Sequence, residues 1–197
     1  MSGNKYWGGA LLDFNEVVNS RRSIRTFINK DVSDELIYKI LEYGHSAPSA
    51  GNIQPWEFII VKSEEIKKRI VDTTFIGNNN NGDKKQEWML EAPVLIVICG
   101  NKQKSFNRYG EKALETLIYL DVSACIENMI LGIVDLGLAS CYVSGFREKE
   151  LSSVLNLPET HEVIGILPVG YSSEVCFNRP KIELDEIIHH EKFKVYK

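Results

Sequence analysis

Apolar positions along this chain recur with two different periods. After Ser33, the residues Leu36, Ile37, Ile40 and Leu41 form one stripe at helical spacing. Ser33 is a natural cap, and Asp34 and Glu35 place acids where a helix start favours them. The stripe ends at Gly44 and Pro48. Asp13 and Glu16 have the spacing of a capping box and predict a short helix running into Arg21. Ser63 predicts another helix, with Ile66 and Ile70 inside and Lys67, Lys68 and Arg69 outside. Residues 111–136 keep helical periodicity for about 39 Å. They are apolar on most sides, which predicts a helix crossing the core or a subunit interface.

The other period is that of strands. The run WEFIIV from Trp56 to Val61 is aromatic and β-branched. Residues 93–99, PVLIVIC, are continuously apolar, as in a strand buried on both faces. Two further strands are predicted at 139–143 and 163–169, with a short helix at about 147–155 between them. Residues 75–85 read FIGNNNNGDKK and predict a mobile surface loop. The stretch 178–197 is polar, mixed and weakly periodic; it is long for a loose end and is expected to wrap a neighbour. No repeat at a solenoid period is present.

With 197 residues, these elements make one domain, 1–197, with 178–197 as its C-terminal tail. Lys and Arg total 23 against 27 Asp and Glu, a net charge of -4. That balance argues against a generally basic nucleic-acid surface, so any positive site is local. Cys99, Cys125, Cys141 and Cys176 lack zinc-ligand spacing, and the three in apolar stretches, Cys99, Cys125 and Cys141, read as buried free thiols. The N-terminal stretch lacks a signal-peptide pattern. The apolar run 116–134 is interrupted by Asp121, Glu127 and Asn128 and fits a buried helix better than a membrane span. Together these features predict a reduced, cytoplasmic protein.

Three segments carry candidate chemistry. Arg21-Arg22-Ser23-Ile24-Arg25 puts three guanidiniums and a hydroxyl within five residues, the donor set for a phosphate or other anion. Pro48-Ser49-Ala50-Gly51-Asn52-Ile53-Gln54 joins small residues, which admit a ligand close to the backbone, with polar side chains that can donate and accept. Ser144-Gly145 follows a predicted strand and precedes a helix, where free backbone N–H groups can face developing negative charge. GxGxxG, GxxxxGK[ST] and GxSxG loops are absent. His45, His161, His189 and His190 are scattered and read as surface or structural. No metal site is expected, and no side-chain catalytic dyad or triad.

These segments, in this order, are where a resemblance enters. SRRSIRTF and SAPSAGNIQPWEFIIV resemble the nitroreductase family of flavin-dependent oxidoreductases. EAPVLIVICGN, LDVSACIENMILGIVDLGLASCYVSGF and ILPVGYSSE extend the likeness over residues 14–193. The resemblance implies an α+β sandwich, with a mixed, mainly antiparallel sheet flanked by helices, in an intertwined homodimer with one FMN at each of two interfaces. Arg21, Arg22 and Ser23 match positions that hold the phosphate and ribityl chain, and Arg25 matches the basic residue near flavin N1 and O2. Pro48, Ser49, Ala50, Asn52 and Gln54 match a loop contributed by the partner subunit. Ser144-Gly145 matches the segment whose amide faces N5. Lys181, or else Arg179, aligns with a late basic residue that reaches the phosphate. The larger members' helical excursion is missing. Lys85-Gln86-Glu87-Trp88 stands where some members have a flavin-contacting Asn and Lys, so no contact is carried over there.

The function this implies is hydride transfer from NADH or NADPH through FMN to a nitroaromatic, quinone or related small acceptor, by a ping-pong mechanism with both substrates using one pocket in turn. The chemistry belongs to the cofactor, which the protein positions and tunes. The same motifs also suit a flavin-binding module without significant turnover, serving as sensor, store or interaction partner. A phosphate- or nucleotide-binding protein without flavin is a third reading. The sequence leaves the acceptor and the choice between NADH and NADPH open.

Overall fold

A computed structural model describes residues 13–77, 84–174 and 179–193. Strands β1 (Trp56–Val61), β2 (Val94–Asn101), β3 (Ala139–Ser140) and β4 (His161–Gly170) form one sheet in the order β1-β2-β4-β3. All three ladders are antiparallel. The parallel component is a single bridge, Ser23 to Ser140, at the β3 edge. The expected α+β architecture is thus present.

The apolar run at 93–99 is explained by two cores, one on each face of β2. Val94, Ile96 and Ile98 face α2 (Asp34–His45) and α5 (Ile118–Asp135). Leu95, Val97 and Cys99 belong to a second core with Ile70, Val71 and Leu151, from α3 (Glu64–Asp72) and α6 (Glu148–Val154). Alternate side chains of a strand point to opposite faces, so both sets must be apolar. Helices α2 and α5 pack closely because glycines line the crossing: a Cβ on Gly44 would lie 2.5 Å from Met129 Cγ.

The predicted caps are realised. α1 (Phe14–Ser20) opens on a complete Asp13–Glu16 capping box, and Ser33 and Ser63 cap α2 and α3. Four expectations are corrected. Lys67 is not outside: it is 1% exposed, donating to the Ala92 carbonyl at 2.8 Å and pairing with Glu64 at 2.6 Å. The 111–136 helix is not uniform, since Ala113–Leu117 form a wider π turn before α5 begins. The strand at 139–143 stops at Ser140, although Val143 still bonds Ile166. Continuing the register sets Cys141 opposite Pro168, which has no N–H to donate. Finally, α4 (Lys102–Tyr109) lies where no helix was predicted.

The stretch 113–135 is long and apolar enough to span a bilayer, yet half of it is buried within the fold. Cys99, Cys125 and Cys141 are buried free thiols; Cys176 lies outside the described residues. So do residues 78–83, the centre of the Asn-rich loop. α7 (Leu184–Ile187) sits on a tail whose Ile182, Leu184, Ile187 and Phe193 are all exposed.

Candidate functional site

Residues 21–25 leave the end of α1 in extended form and dock along β3. The Ile24 N–H donates to the Ser140 carbonyl at 3.0 Å. In an extended segment side chains alternate, and the arginine cluster divides accordingly. Arg22 and Ile24 turn toward a cleft of about 360 Å³, which is also lined by Ile130, Ile133 and Ser140. Arg22 spends its guanidinium on the carbonyls of Asn19, in the last turn of α1, and of Arg21, both at 2.7 Å. Arg21, Ser23 and Arg25 lie on the other side, around Cys141. Burial pushes the Cys141 thiol up, opposed by the Arg25 charge, the Ser23 hydroxyl and the Arg21 charge. Three donors thus converge on one strand end.

The Ser144-Gly145 segment belongs to the same corner. The Gly145 carbonyl accepts from Phe75 N–H at 2.9 Å, and Gln86 Nε2 donates to the Phe75 carbonyl at 3.1 Å and reaches Gly145 O at 3.4 Å. A Cβ on Gly145 would come within 2.9 Å of the Phe75 carbonyl, so this position favours glycine on grounds of space. No acceptor for the Gly145 N–H is found among the described residues. Two residues after Gln86, the Trp88 ring stacks on Phe27 and carries the Arg25 guanidinium 5.8 Å from its centroid. Sequence reasoning gave Gln86 and Trp88 no role. The available signal was an amide and an indole in a polar linker directly before the buried strand.

The 48–54 loop has a geometry of its own. Gly51, Asn52 and Gln54 adopt left-handed backbone, with φ of 55°, 56° and 50°. Ser49 Oγ accepts the Gln54 N–H, and the Gln54 amide donates to Asn52 Oδ1, both at 2.9 Å. Asn52 is exposed, while Ser49 and Ala50 are half-buried. The Ala50 N–H donates to Asp121 Oδ1 of α5 at 2.9 Å.

One chain does not bring this loop to the arginine corner. The loop precedes Trp56, which pairs with Gly100, in turn opposite Glu162; the arginines sit beside Ser140, opposite Val169. By strand spacing and rise, the two places are about 19 Å apart across the sheet and about 24 Å along it. α5 provides a second ruler. From Asp121, which holds the loop, to Val134, which lines the cleft beside Arg22, is about 20 Å of helix. Arg179 and Lys181 are exposed on the tail, and no contact with the corner is found for them among the described residues.

Comparison with known proteins decides the family. The profile of the nitroreductase family matches residues 18–171. The chain belongs to the nitroreductase family. A protein of Archaeoglobus fulgidus, provisionally named NADH dehydrogenase/NAD(P)H nitroreductase, is 31% identical over 163 residues, covering 81% of this chain and 85% of its own. The FMN reductase [NAD(P)H] of Bacillus subtilis is 27% identical, over 91% of this chain and 75% of its own. The crystal structure of a nitroreductase family protein from Clostridium difficile superposes with a TM-score of 0.77 at 28% identity, covering 92% of this chain and all of that one. As a member, this nitroreductase-family protein is an NAD(P)H-dependent oxidoreductase with FMN as its cofactor.

The arginine corner fits that group. Two guanidiniums, the Ser23 hydroxyl and the Gly145 amide are all donors, suited to a phosphate, a polyol and an electron-rich ring edge. On the cleft side, with Arg22 and Ile24, Ser140 Oγ is buried without a partner among the described residues, an unspent polar atom where hydrogen bonds are otherwise made.

Proposed function

We propose that this protein passes hydride equivalents from NADH or NADPH, by way of FMN, to a nitroaromatic, quinone or related small acceptor in a ping-pong cycle. The observation that carries this reading is the placement of Arg21, Ser23 and Arg25 around Cys141 at the end of β3, with the Gly145 carbonyl tied to Gln86 in the segment whose Trp88 carries Arg25. Arg21 and Ser23 hold the phosphate and ribityl end. Arg25, propped on Trp88, would hold a fixed positive charge toward the flavin ring, where negative charge would grow on reduction. The Gly145 segment is fixed by its carbonyl, which accepts from Phe75 and Gln86, and its N–H, which has no acceptor among the described residues, would face the flavin. Arg22 supports this corner from behind by closing the end of α1. Lys181, or Arg179, completes the phosphate contact when the tail is seated.

The second half of the site comes from a second copy. Ser49, Asn52 and Gln54 cannot reach the arginines of their own chain, so a homodimer supplies the Pro48–Gln54 loop across the interface. Leu120 of α5, Tyr38 of α2, Phe14 and the tail residues Ile182 and Phe193 are exposed apolar groups that such an interface would cover. The working compartment is the cytoplasm.

The test starts with a visible spectrum of the purified protein and the FMN released by heat, followed by anaerobic titration with NADH and with NADPH. Bleaching by a nicotinamide, then parallel initial-rate lines with a nitroaromatic or a quinone, is the expected outcome. A protein that binds FMN but is never reduced by either nucleotide would refute turnover.

A further inference from the structure

We infer that Asp121 is the positioning residue that holds the 48–54 loop in its ligand-binding shape, an inference that rests on the loop's proposed part in binding FMN. The loop is a poor candidate for holding itself. Two of its non-glycine residues, Asn52 and Gln54, sit in left-handed backbone, which side chains with a Cβ adopt only when the surroundings impose it. Its internal bonds, Ser49 Oγ to Gln54 N–H and Gln54 to Asn52, tie the loop to itself and not to the body. The exit strand is fixed, since the Asn101 N–H donates to the Pro55 carbonyl at 2.7 Å and Trp56 Nε1 donates to His45 Nδ1 at 3.2 Å. The left-handed turn itself is tied to the body through the Ala50 N–H on Asp121 Oδ1 at 2.9 Å.

Asp121 is an odd residue to find there unless that bond matters. It lies on a helix with Val122, Cys125 and Ile126, all buried, and is itself 7% exposed. Its second oxygen, Oδ2, is buried with no partner among the described residues, which is costly for a carboxylate in apolar surroundings. A group that only had to fill space would be apolar. What the carboxyl contributes is an acceptor aimed at one N–H, in the residue just before the turn that carries Asn52. Tyr109 and Arg108 close over Gly51 from the other side, so the turn is clamped between α4 and α5. If the competent shape falls to a tenth of the population when the acceptor is lost, the apparent dissociation constant rises about tenfold.

Four variants test this, each scored by the dissociation constant for FMN and by hydrogen exchange of the 50–54 amides in the FMN-free protein. Asp121→Ala is expected to raise that constant about tenfold or more and to speed exchange across the loop. Asp121→Asn keeps an oxygen for the Ala50 N–H and is expected to stay within about threefold of wild type. Ala50→Pro removes the donor without touching α5. Ser49 already has φ of -142° and ψ of 155°, the extended form that a following proline requires, and the first position of a tight helical turn accepts proline. It should therefore behave like Asp121→Ala, including in the event that the latter fails to fold. Asn52→Ala tests the loop's role directly and should weaken FMN binding while leaving loop exchange slow. Asp121→Ala or Ala50→Pro with wild-type exchange and wild-type affinity would overturn the inference, as would Asp121→Asn falling as far as Asp121→Ala. Fast loop exchange in Asp121→Ala with FMN affinity unchanged in Asn52→Ala would leave the anchor standing and overturn the loop's role in binding.

Discussion

Replacing Lys67 with methionine isolates the work of a single buried ammonium. The side chain is 1% exposed and donates to the carbonyl of Ala92, itself fully buried, where the chain turns from the 87–91 segment into β2. Methionine keeps most of the stem packed against the second core and deletes only the donor. The Ala92 oxygen is then stranded, at a cost of about 1–3 kcal/mol. Losing the pair with Glu64 adds little, because that carboxylate is 78% exposed and returns to water. Lys67→Ala also opens a cavity and should cost about 3–5 kcal/mol. For a chain of this size, each kcal/mol lowers Tm by about 2–4 °C, so methionine should lower it by about 2–12 °C. Urea unfolding at fixed protein concentration, with the m-value monitored, is the appropriate assay. Glu64→Ala is not a neutral control, because it leaves a buried ammonium without its carboxylate and should itself be destabilising. If Lys67→Met matches wild type, the Ala92 carbonyl does not depend on the ammonium and the reasoning fails.

The remaining predictions concern the site, the thiols, the helix crossing and the tail. Arg21→Ala should weaken FMN binding by about 10- to 150-fold, with activity recovered at excess FMN. Arg25→Ala should instead make the FMN potential more negative and slow reduction by NAD(P)H at saturating flavin; unchanged potential would remove Arg25 from the ring edge. Burial pushes Cys99 and Cys125 up to about 12 and raises Cys141 as well, so all three stay protonated, and slow to react, at pH 8. A thiol reagent should react only slowly with Cys99, Cys125 and Cys141 in the native protein, and rapidly with them after denaturation. Gly132→Ala would drive a methyl into the Tyr43 ring where α2 meets α5, and should cost about 1–3 kcal/mol in urea unfolding. Truncation after residue 178 should weaken both self-association and FMN binding; unchanged flavin affinity would exclude Lys181 and Arg179.

Much of this fold was legible because its signals are local. Three capped helices and the strands β1, β2 and β4 follow from Asp13, Ser33, Ser63 and apolar runs that need no partner to be interpreted. What escaped depends on neighbours distant in sequence. Lys67 looks like one of three exposed basic residues until Ala92 is placed beside it. The loss of strand after Ser140 was written not in its own residues but in Pro168, across the ladder. α4 has no apolar stripe, and its only markers are the Asn101 cap and Gly110, with φ of 65°. At the site, the donor cluster could be recognised from the local run Arg21-Arg22-Ser23-Ile24-Arg25, but the divergence of Arg22 required the extended backbone. The support from Gln86 and Trp88 required the return of residues 75–88 to Gly145. The role of Asp121 was hidden for a similar reason: in the sequence it is merely a polar interruption in an apolar helix.

If the loop and the arginine corner bind FMN across a homodimer, as proposed, their diagonal placement has a genetic consequence. A chain lacking Arg21 and a chain lacking Asn52 are each defective at opposite corners, so neither homodimer has a sound site. When the two are co-expressed, a mixed dimer joins the intact loop of the first to the intact arginine corner of the second. One of its two sites is then made wholly of undamaged parts, while the other collects both lesions. Random pairing would restore about a quarter of the wild-type sites. Two inactive alleles would thus complement each other, whereas two lesions within the same corner would not.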